Sequence, residues 1–362
     1  MRILYVTTLS LTMNCFFHPH IEMLVREGNH VDIACNYRAL PLDGRYSELG
    51  CHFYQIDFSR FPLSFGNIKA VRQLEKVIKG GEYDIVHCHT PNASVITRLV
   101  CGKFRKKNGI KVFYTAHGFH FYKGAPKYNW LLYYPVEKFC SRFTDKLITI
   151  NREDYDLASR KFKACEVHCI PGIGIDLLRF ANIRIDRNAE RRKIGITEKS
   201  FMLLSVGELN ANKNHRLVIQ ALAKLKDPNV HYVIAGDGKL RSDLLTLAEK
   251  LHVEKQVHLL GYQKNVANLY KIADIYVHPS FREGLPVAVM EALASGTTVL
   301  ASDTRGCRDL VSDNLFDPND PDSLVEKLRN YSPNGALREI FLQKNVFEHL
   351  SGLYRSSMSL EI

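Results

Sequence analysis

Short runs typical of β-strands alternate with amphipathic helical stretches along most of the chain. A first set comprises RILYVTT, HVDIAC, YDIVHCHT, KVFYTAHG, DKLITIN and EVHCIPG, and a second set comprises SFMLLSVGE, VHYVIAGDG, QVHLLG, ADIYVHPS and TTVLASD. Strands that are each followed by a helix pair in parallel, because the helix returns the chain to the same end of the sheet. The pattern therefore predicts an α/β chain with parallel sheets that carry helices on both faces.

The two sets predict two Rossmann-like domains whose parallel sheets face a central cleft. The 362 residues suffice for two domains of ordinary size. The segment between the sets begins with PGIG and then becomes highly charged, so we place a linker near 171–186. We predict a first domain at 1–172, a second at 187–335, and a C-terminal helix within 336–362 that packs back across the domain junction. Ligands of such sheets bind at the carboxyl ends of the strands.

Basic residues are concentrated in the first half of the chain. The net charge is +11, with 24 Lys and Arg against 14 Asp and Glu up to Cys165, and 25 against 24 beyond it. This distribution indicates an anionic partner for the first half, either a membrane surface or a phosphorylated substrate, with a solvated basic surface as the alternative. Nucleic acid is not expected, because the chain has neither zinc-finger spacing nor an RNA-binding signature.

Composition also bears on where the chain works. No run of 18 or more apolar residues occurs, so no membrane-spanning segment is predicted. The apolar N-terminus MRILYVTT lacks a small-residue cleavage site, and we interpret it as a first strand. The nine cysteines lack metal-type pairing and are interpreted as reduced thiols, which are typical of a cytoplasmic protein.

The segment FREGLPVAVMEALASG, residues 281–296, places a carboxylate in an apolar helix. Pro286 fits the first turn of that helix and Gly296 fits its end, so Glu291 lies on an element that is otherwise buried. An unpaired carboxylate there would cost several kcal/mol. Glu291 therefore needs a partner, which is either an internal salt bridge or backbone amide, or the hydroxyl groups of a bound sugar.

Glu283 lies in the loop before the same helix, at the carboxyl end of the predicted strand ADIYVHPS. The amides of Gly284 and Leu285 point out of the helix start, and helix starts bind phosphate through such amides and the helix dipole. Two carboxylates that flank a phosphate-binding helix start indicate a nucleotide sugar as the ligand.

At these residues the chain resembles the retaining glycosyltransferases of family 4, which have the two-Rossmann architecture called GT-B. Their motif of two glutamates separated by seven residues corresponds to Glu283 and Glu291 in EGLPVAVMEALASG. The resemblance covers nearly the whole chain and includes the opening strand, YDIVHCHTP, TAHGF, SVGELNANKNH, VIAGDG and ADIYVHPS. The segment TAHGFHFYKGAP resembles the sequences of bacterial enzymes that build capsular polysaccharide or exopolysaccharide.

The resemblance implies a role for each residue that matches the motifs. The catalytic residues would be His117, Glu283 and Lys213, and the donor-binding residues Glu291, Gly284, Leu285, Arg282 and Gly207. Glu283 would contact the transferred sugar, Glu291 the ribose and Lys213 the phosphates. No metal or other cofactor is expected. From the residues alone, Lys213 is also compatible with a solvated loop lysine, and His117, like His87 and His89, with a hydrogen-bonded histidine at a strand end.

The chain departs from the family pattern at three places. Glu208 stands where most relatives have an arginine that would pair with the diphosphate, and Arg282 or Arg305 is a candidate to supply that charge. The first loop, TTLSLTMNCFF, lacks the glycines of many relatives, and CRDLVSDNLFDPND, around Asp309, is shorter than usual.

The resemblance, taken with the residues above, implies a retaining transferase that moves a sugar from a nucleotide donor, expected to be a UDP-sugar, to a lipid-linked saccharide. A GT-B sugar-nucleotide epimerase and an inactive sugar-nucleotide-binding protein are the alternatives. The first domain would bind the acceptor and the second the nucleotide sugar. We expect a cytoplasmic protein at the inner face of an anionic membrane, held by KFRKKNGIK and KGAPKYNWLLYY, unless the aromatic run of the latter is ordinary helix core.

Overall fold

The computed structural model describes residues 1–59 and 66–357, except for the side chains of 106–108. The chain forms two compact units, of which the first comprises Met1–Gly174 and the tail from Lys344 onwards, and the second comprises Ile175–Gln343. The second unit extends beyond the predicted 187–335 at both ends.

The extension of the second unit includes most of the predicted linker. Ile175 N donates a hydrogen bond to Phe341 O at 2.9 Å, and Gln343 N donates to Ile175 O at 3.0 Å. Phe180 is fully buried, with its ring centroid 6.4 Å from that of Tyr270. Apolar side chains in IGIDLLRF thus pack this stretch into the second unit, although its turn residues and charges led us to predict a linker here.

The first unit contains a sheet of seven parallel strands in the order β3-β2-β1-β4-β5-β6-β7. Its strands are β1 (Arg2–Leu9), β2 (His30–Asn36), β3 (Phe53–Gln55), β4 (Ile85–His89), β5 (Lys111–Ala116), β6 (Lys146–Thr149) and β7 (Glu166–Cys169). Its helices are α1 (Ser10–Thr12), α2 (His18–Arg26), α3 (Arg45–Glu48), α4 (Gly66–Gly81), α5 (Pro91–Asn108), α6 (Lys127–Cys140) and α7 (Arg152–Lys161), with a π-helical turn at Met13–Phe17 and a 3₁₀ turn at Ser141–Phe143.

The second unit contains six parallel strands in the order β10-β9-β8-β11-β12-β13. The strands are β8 (Phe201–Val206), β9 (Val230–Ala235), β10 (Val257–Gly261), β11 (Ile275–His278), β12 (Thr298–Ser302) and β13 (Leu315–Phe316). The helices are α8 (Leu178–Ala181), α9 (Arg187–Lys193), α10 (His215–Leu225), α11 (Arg241–Lys250), α12 (Ala267–Ile272), α13 (Val287–Ala294), α14 (Arg305–Arg308) and α15 (Pro321–Arg329), with 3₁₀ turns at Glu254–Gln256 and Glu339–Phe341. The final helix, α16 (Gln343–Ser356), packs on the first unit.

Both sheets reverse their strand order in the middle, between β1 and β4 and between β8 and β11. The connections that leave these strand pairs diverge to opposite faces, which leaves a crevice at the carboxyl edge of the sheet. The predicted site residues lie at or beside these positions. Lys213 comes after β8, Glu283 comes after β11, and His117 directly follows β5, the neighbour of β4.

Helix α16 completes the core of the first unit. Leu350 and Tyr354 are buried in one apolar cluster with Ile3 and Ile33 of the sheet. Lys146 Nζ donates to the carbonyl oxygen of Leu353 at 3.0 Å, near the end of the helix, where a cation is favourable. The end of the described chain is therefore part of the first domain's core.

A close backbone approach positions the first site loop of the second unit. Gly207 N donates to Ala235 O at 3.0 Å, and a Cβ atom on Gly236 would lie only 1.8 Å from Gly207 O. The obstructing atom is backbone, so no rotamer change relieves the clash. The loop that carries Lys213 can leave β8 in this direction only because residue 236 is glycine.

We predict that Gly236→Ala destabilises the second unit by about 1–3 kcal/mol, the usual cost of overpacking. Gly335→Ala is the matched control, since Gly335 is exposed and a Cβ atom there would have no neighbour within 4 Å. Urea denaturation of both variants tests this, and equal midpoints for the two would contradict it.

Candidate functional site

The loops that follow β8 and β11 are hydrogen-bonded to each other at the switch point of the second sheet. Phe281 N donates to Asn212 O at 2.9 Å, and Asn212 Nδ2 donates to Arg282 O at 3.0 Å. Asn214 Nδ2 donates to Pro279 O at 3.2 Å. These bonds hold both predicted site loops at one edge of the sheet.

Glu283 lies at the centre of a polar cluster at this edge. Its Oε1 accepts hydrogen bonds from Lys213 Nζ at 2.8 Å and from His278 Nε2 at 3.1 Å. Tyr276 OH lies 3.1 Å from His278 Nδ1, so an imidazole that donates from Nε2 accepts a hydrogen bond from the tyrosine hydroxyl at Nδ1. Gly207 lies beside this cluster, because a Cβ atom there would be 3.3 Å from Lys213 Cε.

The cluster holds Glu283 in its ionised form. Burial opposes ionisation, because the side chain is 14% exposed, but hydrogen bonds and charge interactions with His278 and Lys213 outweigh burial. Together they hold the pKa of Glu283 well below its ordinary value of 4.5. Burial lowers the pKa of His278, so this imidazole is neutral at neutral pH and Lys213 is the cation of the cluster.

Gly284 and Leu285 immediately precede Pro286, the N-cap residue of α13. A Cβ atom on Gly306 would lie 2.3 Å from Gly284 O, so this loop approaches α14 as closely as glycine permits. Arg305 Nε donates to Glu283 O at 3.0 Å. The segment is thereby fixed at the positive end of the α13 dipole, which favours an anion.

Glu291 lies on α13 with 9% of its surface exposed. Tyr270 OH donates to Oε2 at 3.1 Å, and Arg179 Nη1 lies 3.7 Å from Oε1. Burial raises the pKa of Glu291, and Tyr270 and Arg179 oppose this only in part. Arg179 is 59% exposed, so its attraction is weak. Oε1 therefore retains the capacity to accept another hydrogen bond.

Glu208, at the position where the family resemblance implies an arginine, bonds within its own loop. Its Oε2 accepts a hydrogen bond from Asn210 Nδ2 at 2.9 Å. Of the two arginines considered as substitutes, Arg305 is buried and holds the Glu283 carbonyl, whereas Arg282 is exposed. Arg305 is therefore a positioning residue, and Arg282 is the one whose guanidinium faces solvent.

His117, the candidate in the first domain, ends a row of histidines at the carboxyl edge of the first sheet. His89 Nδ1 lies 3.2 Å from His117 Nε2, and the ring centroids of His87 and His89 are 4.2 Å apart. His87 is held between Tyr354 OH at 2.5 Å and Thr115 Oγ1 at 2.8 Å. Helix α16, which carries Tyr354, thus contributes directly to the row.

Burial keeps the row neutral. It lowers the pKa of His87 and His89 well below the ordinary value, and it lowers that of the neighbouring buried His20 to about 4. Desolvation also lowers the pKa of His117, but this residue is exposed to solvent, which limits the shift. A cavity of about 10 Å³ adjoins the row, close to the smallest that holds one water. His20 Nε2 and His89 Nε2 have no hydrogen-bond partner among the described residues.

The predicted site residues therefore fall into two groups. Seven of them lie in the second unit, namely Gly207, Lys213, Arg282, Glu283, Gly284, Leu285 and Glu291, and His117 lies in the first. Sequence reasoning missed His278 and Tyr270. His278 ends a predicted strand five residues before Glu283, a signal that was available, whereas nothing in the sequence linked Tyr270 to Glu291.

Two domains with parallel sheets that each reverse at a switch point define the GT-B class. The chain matches the family model "Glycosyl transferase 4-like" over residues 2–151 and the model "Glycosyl transferases group 1" over residues 186–345. It is 41% identical over 318 residues to EpsD of Bacillus subtilis, a protein named as a glycosyltransferase, with 86% of this chain and 81% of EpsD covered. The chain belongs to the family 4-type glycosyltransferases with the GT-B fold.

Two further proteins extend the comparison. An Escherichia coli enzyme, UDP-Gal:α-D-GlcNAc-diphosphoundecaprenol α-1,3-galactosyltransferase, is 29% identical over 319 residues, covering 85% of this chain and 81% of its own. The Anabaena protein HepE, solved in complex with UDP and glucose, superposes with a TM-score of 0.76 at 16% identity, covering 98% of this chain and 100% of its own. The structural match confirms the fold.

We predict that ionised Glu283 stabilises the folded protein at neutral pH and that acid removes this contribution. The pKa of Glu283 is depressed in the folded state, so its contribution is fully present above the unfolded value, near 4.5, and is lost as pH falls through the folded value. The free energy of unfolding of the wild type should therefore fall more steeply below about pH 5 than that of Glu283→Gln. Urea denaturation at several pH values measures this, and parallel profiles would refute it.

Proposed function

We propose that this chain is a retaining, metal-independent glycosyltransferase that moves a sugar from a UDP-sugar to a lipid-linked saccharide in exopolysaccharide or capsular polysaccharide biosynthesis. The observation that carries the proposal is the contact of Lys213 and His278 with Glu283 beside the start of α13. It combines a fixed cation, an ionised carboxylate and a helix dipole within one crevice. The donor and acceptor in the name of the Escherichia coli relative, and the UDP and glucose bound to HepE, support the choice of substrates.

Sugar transfer requires that the negative charge on the leaving diphosphate be stabilised as it grows. The bond between the anomeric carbon and the phosphate oxygen breaks, and the acceptor oxygen bonds to the same face of that carbon. The acceptor proton passes to the leaving phosphate oxygen, so atoms and charge balance. Lys213 and the dipole of α13 stabilise the negative charge that grows on the diphosphate. With these groups in place, the transfer needs no metal ion.

The carboxylates have separate roles in this proposal. Glu283, ionised and fixed by Lys213 and His278, accepts hydrogen bonds from hydroxyl groups of the transferred sugar. Glu291 accepts from ribose hydroxyls through Oε1, while Tyr270 retains Oε2. Arg282 supplies the cation that relatives place at position 208.

His117 is proposed to act on the reacting sugar as a neutral imidazole. Its Nε2 lies 3.2 Å from His89 Nδ1, so the partner ring orients it. Desolvation lowers the pKa of His117 even though the residue is exposed, and a neutral ring neither repels a cationic transition state nor needs a counter-ion. The inactive binding protein is less favoured, because Glu208 bonds to Asn210 and leaves the cluster around Glu283 complete. The sugar epimerase is less favoured, because the relatives are named as transferases.

The acceptor places the reaction at a membrane, and helix α6 supplies a surface for it. Large apolar side chains are exposed along this helix, at Tyr128 (63%), Leu131 (75%), Leu132 (60%), Val136 (43%) and Phe139 (50%). Exposed cations flank them at Lys123, Lys127, Lys138 and Arg142. No helix among the described residues is long and apolar enough to cross a membrane. We propose that α6 inserts shallowly into the anionic inner face of the cytoplasmic membrane.

Not all residues of the two segments predicted to contact the membrane are free to do so. Trp130 packs against the core of the first unit, in line with the alternative that the aromatic run is helix core. Arg105 Nε donates to Asp145 Oδ2 at 2.8 Å, so this arginine stabilises the fold. Lys103 is exposed, and the side chains of Lys106 and Lys107 lie outside the described part of the structure.

The proposal predicts transfer when the purified chain is incubated with UDP-sugars and an undecaprenyl-diphosphate-linked saccharide. Lys213→Ala should lower kcat more than it weakens UDP-sugar binding, because charge on the diphosphate grows toward the transition state.

Glu291→Gln should instead weaken UDP-sugar binding about tenfold or more, since a hydrogen bond to a charged group contributes about 1.5–3 kcal/mol. Steady-state kinetics and calorimetry separate the two effects.

Each alternative activity has its own outcome in this assay. Isomerisation of the donor without transfer would identify an epimerase, and binding without turnover would identify an inactive binding protein. Unchanged donor affinity in folded Glu291→Gln would remove the ribose contact from the proposal, and an effect of Lys213→Ala confined to affinity would make Lys213 a positioning contact.

The membrane proposal predicts that Leu131→Ser together with Leu132→Ser releases the protein from anionic vesicles while UDP-sugar binding is unchanged. Leu178→Ser is the matched control, because Leu178 is 72% exposed but lies in the second unit. Attachment of the wild type should also weaken as salt rises, since each cation near the surface contributes about 1 kcal/mol within a Debye length. Vesicle co-sedimentation measures both effects, and equal binding by the double variant and the control would contradict the proposal.

A further inference from the structure

A second group of metal-binding side chains lies at the opposite end of the first sheet, away from the histidine row. His30 begins β2, Asp32 lies two residues further on the same face, and His52 directly precedes β3. The parallel register of β2 and β3 pairs Ile33 with Phe53, which brings His52 next to Asp32. The three side chains therefore meet at the amino edge of the sheet, whereas His89 and His117 lie at the carboxyl edge.

We propose that His30, Asp32 and His52 form a binding site for a divalent transition-metal ion of the zinc class. His30 Nε2 lies 3.0 Å and His52 Nδ1 lies 3.4 Å from Asp32 Oδ1, and all three ligand atoms are within 4.8 Å of one another. Ligands of a tetrahedral zinc ion with bonds of about 2.0–2.1 Å lie about 3.3 Å apart. The observed spacing therefore accommodates an ion with only small movements of exposed imidazoles.

The two oxygens of Asp32 have different surroundings, as a metal ligand requires. Tyr83 OH donates to Oδ2 at 2.7 Å, and Arg2 Nη2 lies 3.9 Å from the same oxygen. Oδ1 faces both imidazoles and also accepts from His52 N at 3.2 Å. A hydrogen bond to the outer oxygen orients a ligating carboxylate. Asp32 is fully buried, so its direction is fixed by the sheet.

Exposure makes the site accessible from solvent. The His30 side chain is 41% exposed and that of His52 is 72% exposed, while Asp32 forms the floor. A fourth position remains for water. The Arg2 guanidinium, 45% exposed, repels the ion to some extent and limits affinity. Imidazole with carboxylate suits zinc, copper or nickel, whereas magnesium prefers oxygen ligands.

The expected consequence of binding is stabilisation of the sheet edge. Strand β3 has only three residues, and His52 precedes it directly. An ion that joins His52 to two residues of β2 ties this edge strand to its neighbour. Because the ligands are brought together only by folding, the ion favours the folded state. The site is separate from the transfer chemistry, so sugar transfer itself does not depend on it.

The test is calorimetric titration of the EDTA-dialysed full chain with Zn²⁺, with Mg²⁺ as the contrasting ion. Wild type should bind one more equivalent of Zn²⁺ than His52→Ala, and its Tm should rise with Zn²⁺ while that of the variant rises less. Tyr83→Phe, which keeps the three ligands, should weaken this binding about tenfold or more. His349→Ala is the matched control, because His349 is an exposed histidine on α16.

The nine free cysteines can also bind zinc, so the total uptake of Zn²⁺ does not identify this site. The difference between wild type and the variants does identify it. The proposal is overturned if His52→Ala binds as many equivalents as wild type, if wild type binds no Zn²⁺, or if Mg²⁺ binds equally well. If His52→Ala fails to fold by circular dichroism, His30→Gln provides the same comparison.

Discussion

The parallel pairing of β8 with both β9 and β11 is the constraint on which the site depends. Because connections on the two sides of β8 diverge, the carboxyl ends of β8 and β11 are adjacent and open. Lys213 and Glu283, 70 residues apart in the chain, meet there at 2.8 Å. The approach of Gly236 to the Gly207 carbonyl then sets the direction in which the first loop leaves the sheet.

Charge in the second domain is arranged so that each carboxylate has a defined environment. Glu283 has a cation and a donor histidine and stays ionised, whereas Glu291 has a tyrosine hydroxyl and a distant, exposed arginine, and burial raises its pKa. Two glutamates eight positions apart thus differ in electrostatics because one precedes the helix and the other lies on it. In the proposed function, the hydroxyl groups and phosphates of a nucleotide sugar would satisfy both environments.

The first domain uses the two edges of its sheet differently. The carboxyl edge has a row of neutral histidines completed by Tyr354 from the last helix, and the amino edge groups His30, Asp32 and His52. Helix α6 is tied to α5 by the buried pair of Arg98 Nη2 and Glu137 Oε2 at 2.8 Å. That pair secures one face of α6 while its apolar residues on another face remain exposed.

The alternation of strand-type and helix-type segments in the sequence was enough to predict the two parallel sheets. The spacing of apolar residues differs between strands and helices, because each buries its apolar side in its own way. The spacing of Glu283 and Glu291 and the loop position of Lys213 were likewise readable along the chain. Only the tertiary structure decided which groups surround them: Tyr270 reaches Glu291 across 21 residues, and Asp32 meets His52 across 20. Packing also placed residues 175–186 in the second unit, since their apolar side chains found a core that local charge did not reveal. Contacts of this kind depend on strand order and register, which cannot be seen in the local pattern of residues along the chain.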